Sequence, residues 1–300
     1  MDEKNSSAES ESTNLVQVAK AGIARRGAPM SVGDLEHRLL ALYPRADAEE
    51  WDRMGILVGD AGATVKGVAV ALDVTQDAIA ACVKLGANVL LTHHPAFLDP
   101  PETIAPQMTR AGTVGAAVWS AVSNGIALMN FHTALDANPD GNGALPRMLN
   151  LDAQGVICPI GDDSLKGYGR VCSVRAADAP LSLGQLAARC LSVFGRRPRV
   201  WGDSSDKLSR IVVATGSAGN VVQPCLEDGI DCLVCGELHY HTALDAAQMG
   251  LRIIELGHDV SELPLAAVLG AAAVECGIPA DSVHAIDQSG NWDTPVATRI

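Results

Sequence analysis

Short apolar runs alternate with helix-like stretches along most of this chain, and that alternation limits the fold more than any other feature. VKGVAVALD (65–73) reads as a strand, and TQDAIAACVKLG after it as a helix, with Thr75 near its start and Gly86 as its stop. NVLLT (88–92) is strand-like, the stretch 105–124 helical and IALMNF (126–131) strand-like again. Beyond Asn150 the pattern resumes with GYGRVCSV, helix SLGQLAARCLSVFG, strand SRIVVAT, the turn GSAGN and a short helix. Strand DCLVC (231–235), helix TALDAAQMG, strand LRIIEL (251–256) and helix VSELPLAAVLGAAAVECG complete it. Near the start, SVGDLEHRLLALYP supplies an N-cap and Leu at 35, 39 and 42, an amphipathic helix, while AEEWDRMGILVGD ends in a short strand-like run.

Strands separated by helices of this length predict an α/β fold with mixed, largely parallel sheets. We expect two α/β lobes with a site between them at strand C-terminal ends: residues 15–130 plus 255–300 form the first and 131–254 the second, behind a disordered, solvated tail over 1–14. Charged residues at 19% and hydrophobic ones at 48% match a globular chain, and aromatics at 3% leave the core to Ala, Val, Leu and Ile. A net charge of -13 argues against non-specific nucleic-acid binding, which needs Lys and Arg to replace phosphate counterions. The acidic, Ser-rich N-terminus lacks a leader's apolar stretch, and no run reaches the ~18 apolar residues of a membrane span. A cytoplasmic protein with no membrane partner is expected.

Three apolar strands run directly into metal-ligand residue types. VLLT leads to His93 and His94, LMNF to His132 with Asp136 four residues on, and IIELG to His258 with Glu262 four residues on. In open α/β sheets ligands gather beyond the carboxyl ends of strands, so clusters distant in sequence can converge. If the segment from Asp259 onward is helical, His258 and Glu262 lie one turn apart near a helix N-terminus, whose dipole favours the carboxylate. Pro95 biases His94 toward extended geometry. Imidazole and carboxylate donors without thiolate suit Zn, Fe, Mn, Ni or Co rather than Ca. Five or six candidates exceed the four ligands of one closed zinc shell and suffice for two divalent ions.

The remaining candidates carry weaker signals. His132 either ligates or orients a ligand or substrate. His239 and His241, which follow strand DCLVC, serve either substrate binding and proton transfer or simple capping and packing. His37 reads as a surface residue of the first helix, and His284 as part of a terminal strand. Cys232-x-x-Cys235 lies inside an apolar run without a second Cys pair, which favours a structural role over zinc or redox chemistry. The turn Gly216–Gly219 could present backbone N–H groups to a phosphate, but it is too short for a nucleotide fingerprint.

The segments AEEWDRMGILVGD, VAVALDVT, GANVLLTHHPAF, FHTALDANPDGN, GYGRV, ATGSAGN, GIDCLVCGELHYHTALDAAQMG and LGHDVSE resemble, in order, the GTP cyclohydrolase I type 2 family, also called the Nif-three-like dinuclear metal-binding proteins. The resemblance runs from about residue 30 to the end. It implies that His93, His94, Asp136, His258 and Glu262 match the metal-ligand positions and that His132 lies close to the metal pair. It also implies a two-lobed α/β unit assembled into a ring-shaped homohexamer. Residues 150–205 are too few for the domain some members insert there, so the chain resembles the short form. Cys235 and Ala134 stand where the pattern usually has Thr and Asn, and both are expected to alter what the site accepts.

Two functions fit these residues. One is a metal-dependent hydrolase acting on a nucleotide or related small molecule, with His132, His239 and His241 as proton carriers; the substrate class comes from the resemblance alone. The other is a non-catalytic scaffold that stores, delivers or senses metal ions.

Overall fold

The computed structural model describes residues 29–107 and 113–293; the tail expected over 1–14 lies outside them. The first helix, α1 (Val32–Leu42), starts at Ser31, whose hydroxyl accepts from the Asp34 N–H while Asp34 accepts from the Ser31 N–H. This capping box satisfies helix donors that would otherwise be unpaired. After it come β1 (Gly55–Val58), β2 (Val68–Ala71), α2 (Gln76–Lys84), β3 (Val89–Thr92), α3 (Thr113–Ser123) and β4 (Ala127–Asn130). Thr75 caps α2. The helix expected over 105–124 is shorter: residues 105–107 are not helical, and 108–112 lie outside the described residues.

Three short helices, α4 (Thr133–Ala137), α5 (Pro139–Asn142) and α6 (Ala144–Met148), lead into a second sheet. The elements of this half are β5 (Asp152–Ile160), β6 (Asp163–Ser173), β7 (Leu181–Ser182), α7 (Leu183–Phe194), β8 (Arg199–Trp201), β9 (Lys207–Leu208), β10 (Arg210–Val213), α8 (Gly219–Glu227), β11 (Cys232–Cys235), α9 (Tyr240–Gln248) and β12 (Arg252–Glu255), with β7 and β9 paired as a separate two-stranded sheet. The long α10 (His258–Glu275) then returns to the first sheet, where β13 (Val283–Ala285) closes the chain's path.

The first sheet has the order β1-β4-β3-β2-β13, parallel except for β1 against β4. The second has the order β5-β6-β10-β11-β12-β8, with a parallel centre of β10, β11 and β12 and antiparallel flanks. Both sheets are covered on two faces, as parallel strands require. In β3, Val89 and Leu91 pack with Leu35 of α1 and Leu269 of α10, while Leu90 packs with Ile79 of α2. In β11, Cys232 and Val234 pack toward α7, and Leu233 and Cys235 toward α8 and α9.

The period of two also settles the Cys pair. Residues three apart in a strand point to opposite faces, and Cys232 and Cys235 fall in different cores. Burial pushes both thiols up, so they are structural. Ala134 and Cys235, expected to alter what the site accepts, are both fully buried in cores and do not line its cavity.

Candidate metal centre

The site lies where the carboxyl ends of β2, β3 and β4 meet those of β10, β11 and β12. Strand pairing continues past the strands themselves: the His93 and His94 N–H groups donate to Ala71 and Leu72, and those of Leu256 and Gly257 donate to Cys235 and Gly236. His93 and His94 therefore leave β3 in a fixed, extended path. His258 is the first residue of α10, and Glu262 follows one turn later. Asp136 sits in α4, just past β4, and accepts from Thr215 Oγ1 of the second lobe at 2.8 Å.

Glu262 is the centre of this arrangement. One carboxylate oxygen, Oε1, lies 3.8 Å from His93 Nε2, which is also 3.6 Å from Asp136 Oδ2. The other, Oε2, lies 2.9 Å from His94 Nε2 and 3.0 Å from His258 Nε2. Two groups that could hold a metal ion thus share Glu262: His93, Asp136 and Glu262, and His94, His258 and Glu262. A third joins His93, His94 and His132. His132 therefore stands within reach of the cluster while also bonding to Asp52, which keeps both of its expected roles open.

Each imidazole is oriented from behind. His94 Nδ1 lies 2.7 Å from Asp73, His258 Nδ1 3.0 Å from Glu237, His132 Nδ1 3.1 Å from Asp52 and His93 Nδ1 3.2 Å from the Phe131 carbonyl. With Nδ1–H donating outward, each ring turns a bare Nε2 toward the centre, the usual outer support of a metal-ligating histidine. Sequence reasoning did not single out these three carboxylates. Asp73 and Glu237 follow the ends of β2 and β11, so the rule that flagged the histidines, applied to acids as well, would have found them.

The donor set fits a metal on its own chemistry. His93 Nε2 is buried and makes no hydrogen bond; the carboxylate oxygens it faces, on Asp136 and Glu262, lie 3.6 and 3.8 Å away. An unpaired buried nitrogen costs about 1–3 kcal/mol, and a cation between it and those oxygens would remove that cost. The same groups also set one another's protonation, so a metal would have to displace protons to bind. Burial would raise the Glu262 carboxyl, but the three facing imidazoles hold it well below the usual range. Burial works against protonation of His94, yet Asp73 and Glu262 outweigh it and raise the ring to about 10. Glu262 likewise raises His258, to about 9, against burial. Asp136 is raised, chiefly by burial, and the neighbouring Glu262 adds to this. Burial would also raise Asp52, but bonds from His132 and Thr133 hold it at about 2.

Beside the cluster opens a cavity of about 720 Å³, walled by Trp51, Leu98, His132, Tyr168, Thr215 and His239, with Asp136, His258 and Glu262 at its floor. His239 precedes α9 and caps it with no side-chain bond. His241 is exposed on α9, its ring 5.2 Å from that of Tyr240, and does not line this cavity. His37 is exposed on α1, and His284 lies in β13. In the Gly216–Gly219 turn, Gly216 has φ +54 and no room for a side chain, because a Cβ there would come 2.1 Å from Glu262 Oε1. That glycine lets the backbone approach the carboxylate.

Known proteins share this plan. The sequence profile of Duf34/NIF3 (NGG1p interacting factor 3) matches residues 30–277. A GTP cyclohydrolase 1 type 2 homolog of Streptomyces coelicolor is 32% identical over 85% of this chain and 86% of its own length. One from Clostridium acetobutylicum is 29% identical over 80% and 88%. Among solved structures, the Staphylococcus aureus hypothetical protein SA1388 superposes with a TM-score of 0.81 at 24% identity, covering 90% of this chain and 100% of that one. Reduced HcgD from Methanocaldococcus jannaschii gives 0.69 at 23%, covering 86% and 98%. With the profile spanning both lobes and every ligand candidate, the chain belongs to the DUF34/NIF3 family.

Proposed function

We propose that the chain is a metal-dependent hydrolase with a pair of divalent ions, Zn, Fe, Mn, Ni or Co, acting on a nucleotide or related small molecule. The observation that carries this reading is Glu262, which turns one oxygen toward His93 and the other toward His94 and His258. His93, Asp136 and Glu262 would hold one ion, and His94, His258 and Glu262 the other. Bound there, such a pair supplies Lewis acidity and an activated water. His132 and His239, in the cavity wall, are placed to move protons to or from a bound molecule. Trp51 and Leu98 offer apolar surface to a ring, and Thr215 holds the Asp136 carboxylate in place. The names borne by relatives, GTP cyclohydrolase 1 type 2 homolog, support a nucleotide as the first substrate class to try.

Metal-reconstituted protein is expected to turn over GTP or a member of a nucleotide and phosphoester panel. His93→Ala should lower that rate at least about 100-fold, as loss of a residue that sets the reactive group does. If wild type with every metal tested is no faster than His93→Ala across the panel, while still binding its ions, the non-catalytic metal-handling reading replaces this one. On the family resemblance, assembly into a homohexamer belongs to the same proposal. Light scattering should give six times the chain mass, and a stable monomer would refute it.

A further inference from the structure

The last described residues reach back to the metal centre at two points. Past β13 the pairing with β2 continues, the Ile286 N–H donating to the Val70 carbonyl. Two residues later the Gln288 side chain is buried at the end of β2. Its Oε1 accepts the N–H groups of Leu72 and Asp73, both at 2.8 Å, and its Nε2 donates to the Asp73 carbonyl at 3.1 Å. On the other side of the same segment, the His94 N–H donates to the Leu72 carbonyl. The backbone at Asp73 is thus clamped from both flanks, leaving its carboxylate free to meet His94 Nδ1 at 2.7 Å.

Without Gln288, the two N–H groups of Leu72 and Asp73 would lie bare at the end of a parallel strand. A short carboxylate readily turns back onto nearby backbone N–H groups, and Asp73 is the one at hand. Gln288 removes that competition by occupying both donors.

The chain then makes a turn, the Asn291 N–H donating to the Gln288 carbonyl at 3.3 Å. Arg196, just after α7 in the second lobe, holds its far end. Arg196 Nη2 donates to the carbonyls of Ser289 and Trp292, and its guanidinium lies 3.9 Å from the Trp292 ring centroid. Arg196 Nη1 and Trp292 Nε1 both donate to Asp259 Oδ2, each at 3.0 Å. Asp259 follows His258 in the first turn of α10. A guanidinium stacked on indole and paired with a half-shielded carboxylate is stiffer than an exposed ion pair.

We propose that Gln288–Trp292 is a positioning strap for the metal centre. Gln288 fixes Asp73 so that His94 presents Nε2, and the Arg196–Trp292–Asp259 clamp fixes the first turn of α10, which carries His258. The proposal rests on the two-ion reading above and adds that one position, that of His94 and His258, depends on the strap. The position of His93 and Asp136 does not, since neither residue touches it. These are positioning residues, acting through the ligands rather than on substrate.

The test is titration of the full chain with Co(II) and Zn(II), following the visible Co(II) bands. His258→Ala and Asp136→Ala assign the two positions, each removing one. Gln288→Met is expected to weaken the His94/His258 position about 10–100-fold, the range for loss of an outer support of a ligand, and to change its Co(II) bands. The other position should weaken less, because His93 and Asp136 do not touch the strap and only the shared Glu262 links the two positions. Gln288→Glu, which keeps the acceptor for both N–H groups but loses the donor to the Asp73 carbonyl, should recover part of the loss. Arg196→Met should weaken the same position about tenfold, and it decides the matter alone if Gln288→Met does not fold. Unchanged affinities in these variants, or equal losses at both positions that track thermal stability, would overturn the strap. Wild type that loads fewer than two ions would instead overturn the two-ion reading itself.

Discussion

Glu262→Ala is expected to lose both ions at once, whereas Asp136→Ala and His258→Ala should each lose one. The reason is the split approach: His93 faces one Glu262 oxygen, and His94 and His258 face the other. If a closed zinc site's roughly 10–16 kcal/mol of binding is shared among four ligands, each is worth about 2.5–4 kcal/mol, or about 10²–10³-fold in affinity. Removing Glu262 takes that factor from both positions. The fold should survive, because losing one partner of a buried ion pair costs about 3–5 kcal/mol, within the ordinary margin of about 5–15 kcal/mol. Calorimetric titration with a single divalent metal checks the result; an alanine variant that still binds two ions with wild-type affinity would falsify the shared-ligand reading.

A second large effect is expected where no ligand is touched. Gly216→Ala places a Cβ 2.1 Å from Glu262 Oε1, at a residue with φ +54. The carboxylate must move by about an ångström, or the turn must open. The left-handed backbone adds about 1–2 kcal/mol of strain for a non-glycine residue, within the ordinary stability margin of about 5–15 kcal/mol. The protein should therefore fold and yet bind metal about 100-fold more weakly, as misplaced ligands do. Gly219→Ala is the control. A Cβ there meets nothing within 4 Å, so metal affinity should not change. Equal affinities for the two variants would show that the turn does not set the carboxylate.

These effects depend on contacts that the sequence reveals unevenly. The α/β alternation is legible because buried parallel strands such as VLLT and CLVC are apolar throughout, and caps such as Ser31 and Thr75 mark helix starts. β5 was not legible. It is an exposed edge strand, polar along DAQG and interrupted by irregular pairing with β6, so it has neither an apolar run nor a clean period of two. β8, short and half-exposed beside β12, escaped for the same reason.

In the site, residues at strand ends were readable because the end of a strand fixes where the next side chain goes. His93 and His94 are of this kind. The partner behind His132 was not, because Asp52 follows no strand and meets it across 80 positions. Such pairings are set by how two loops fold against each other, which no spacing rule records. The role of Gly216 was equally hidden, since the carboxylate it admits lies on a distant helix. There the turn looked like a phosphate cradle.

Helix α10 belongs to both halves of the molecule. Val260, in its first turn, is packed in the core of the second sheet, whereas Leu265 and Leu269 are packed in the core of the first. Glu262 falls between these two anchorages, so its place depends on both halves. Moving one half against the other would pull its oxygens away from His93 and His94, which stay with the first sheet. A metal held by Glu262 would therefore tie the two halves together, and stripping it should loosen one against the other.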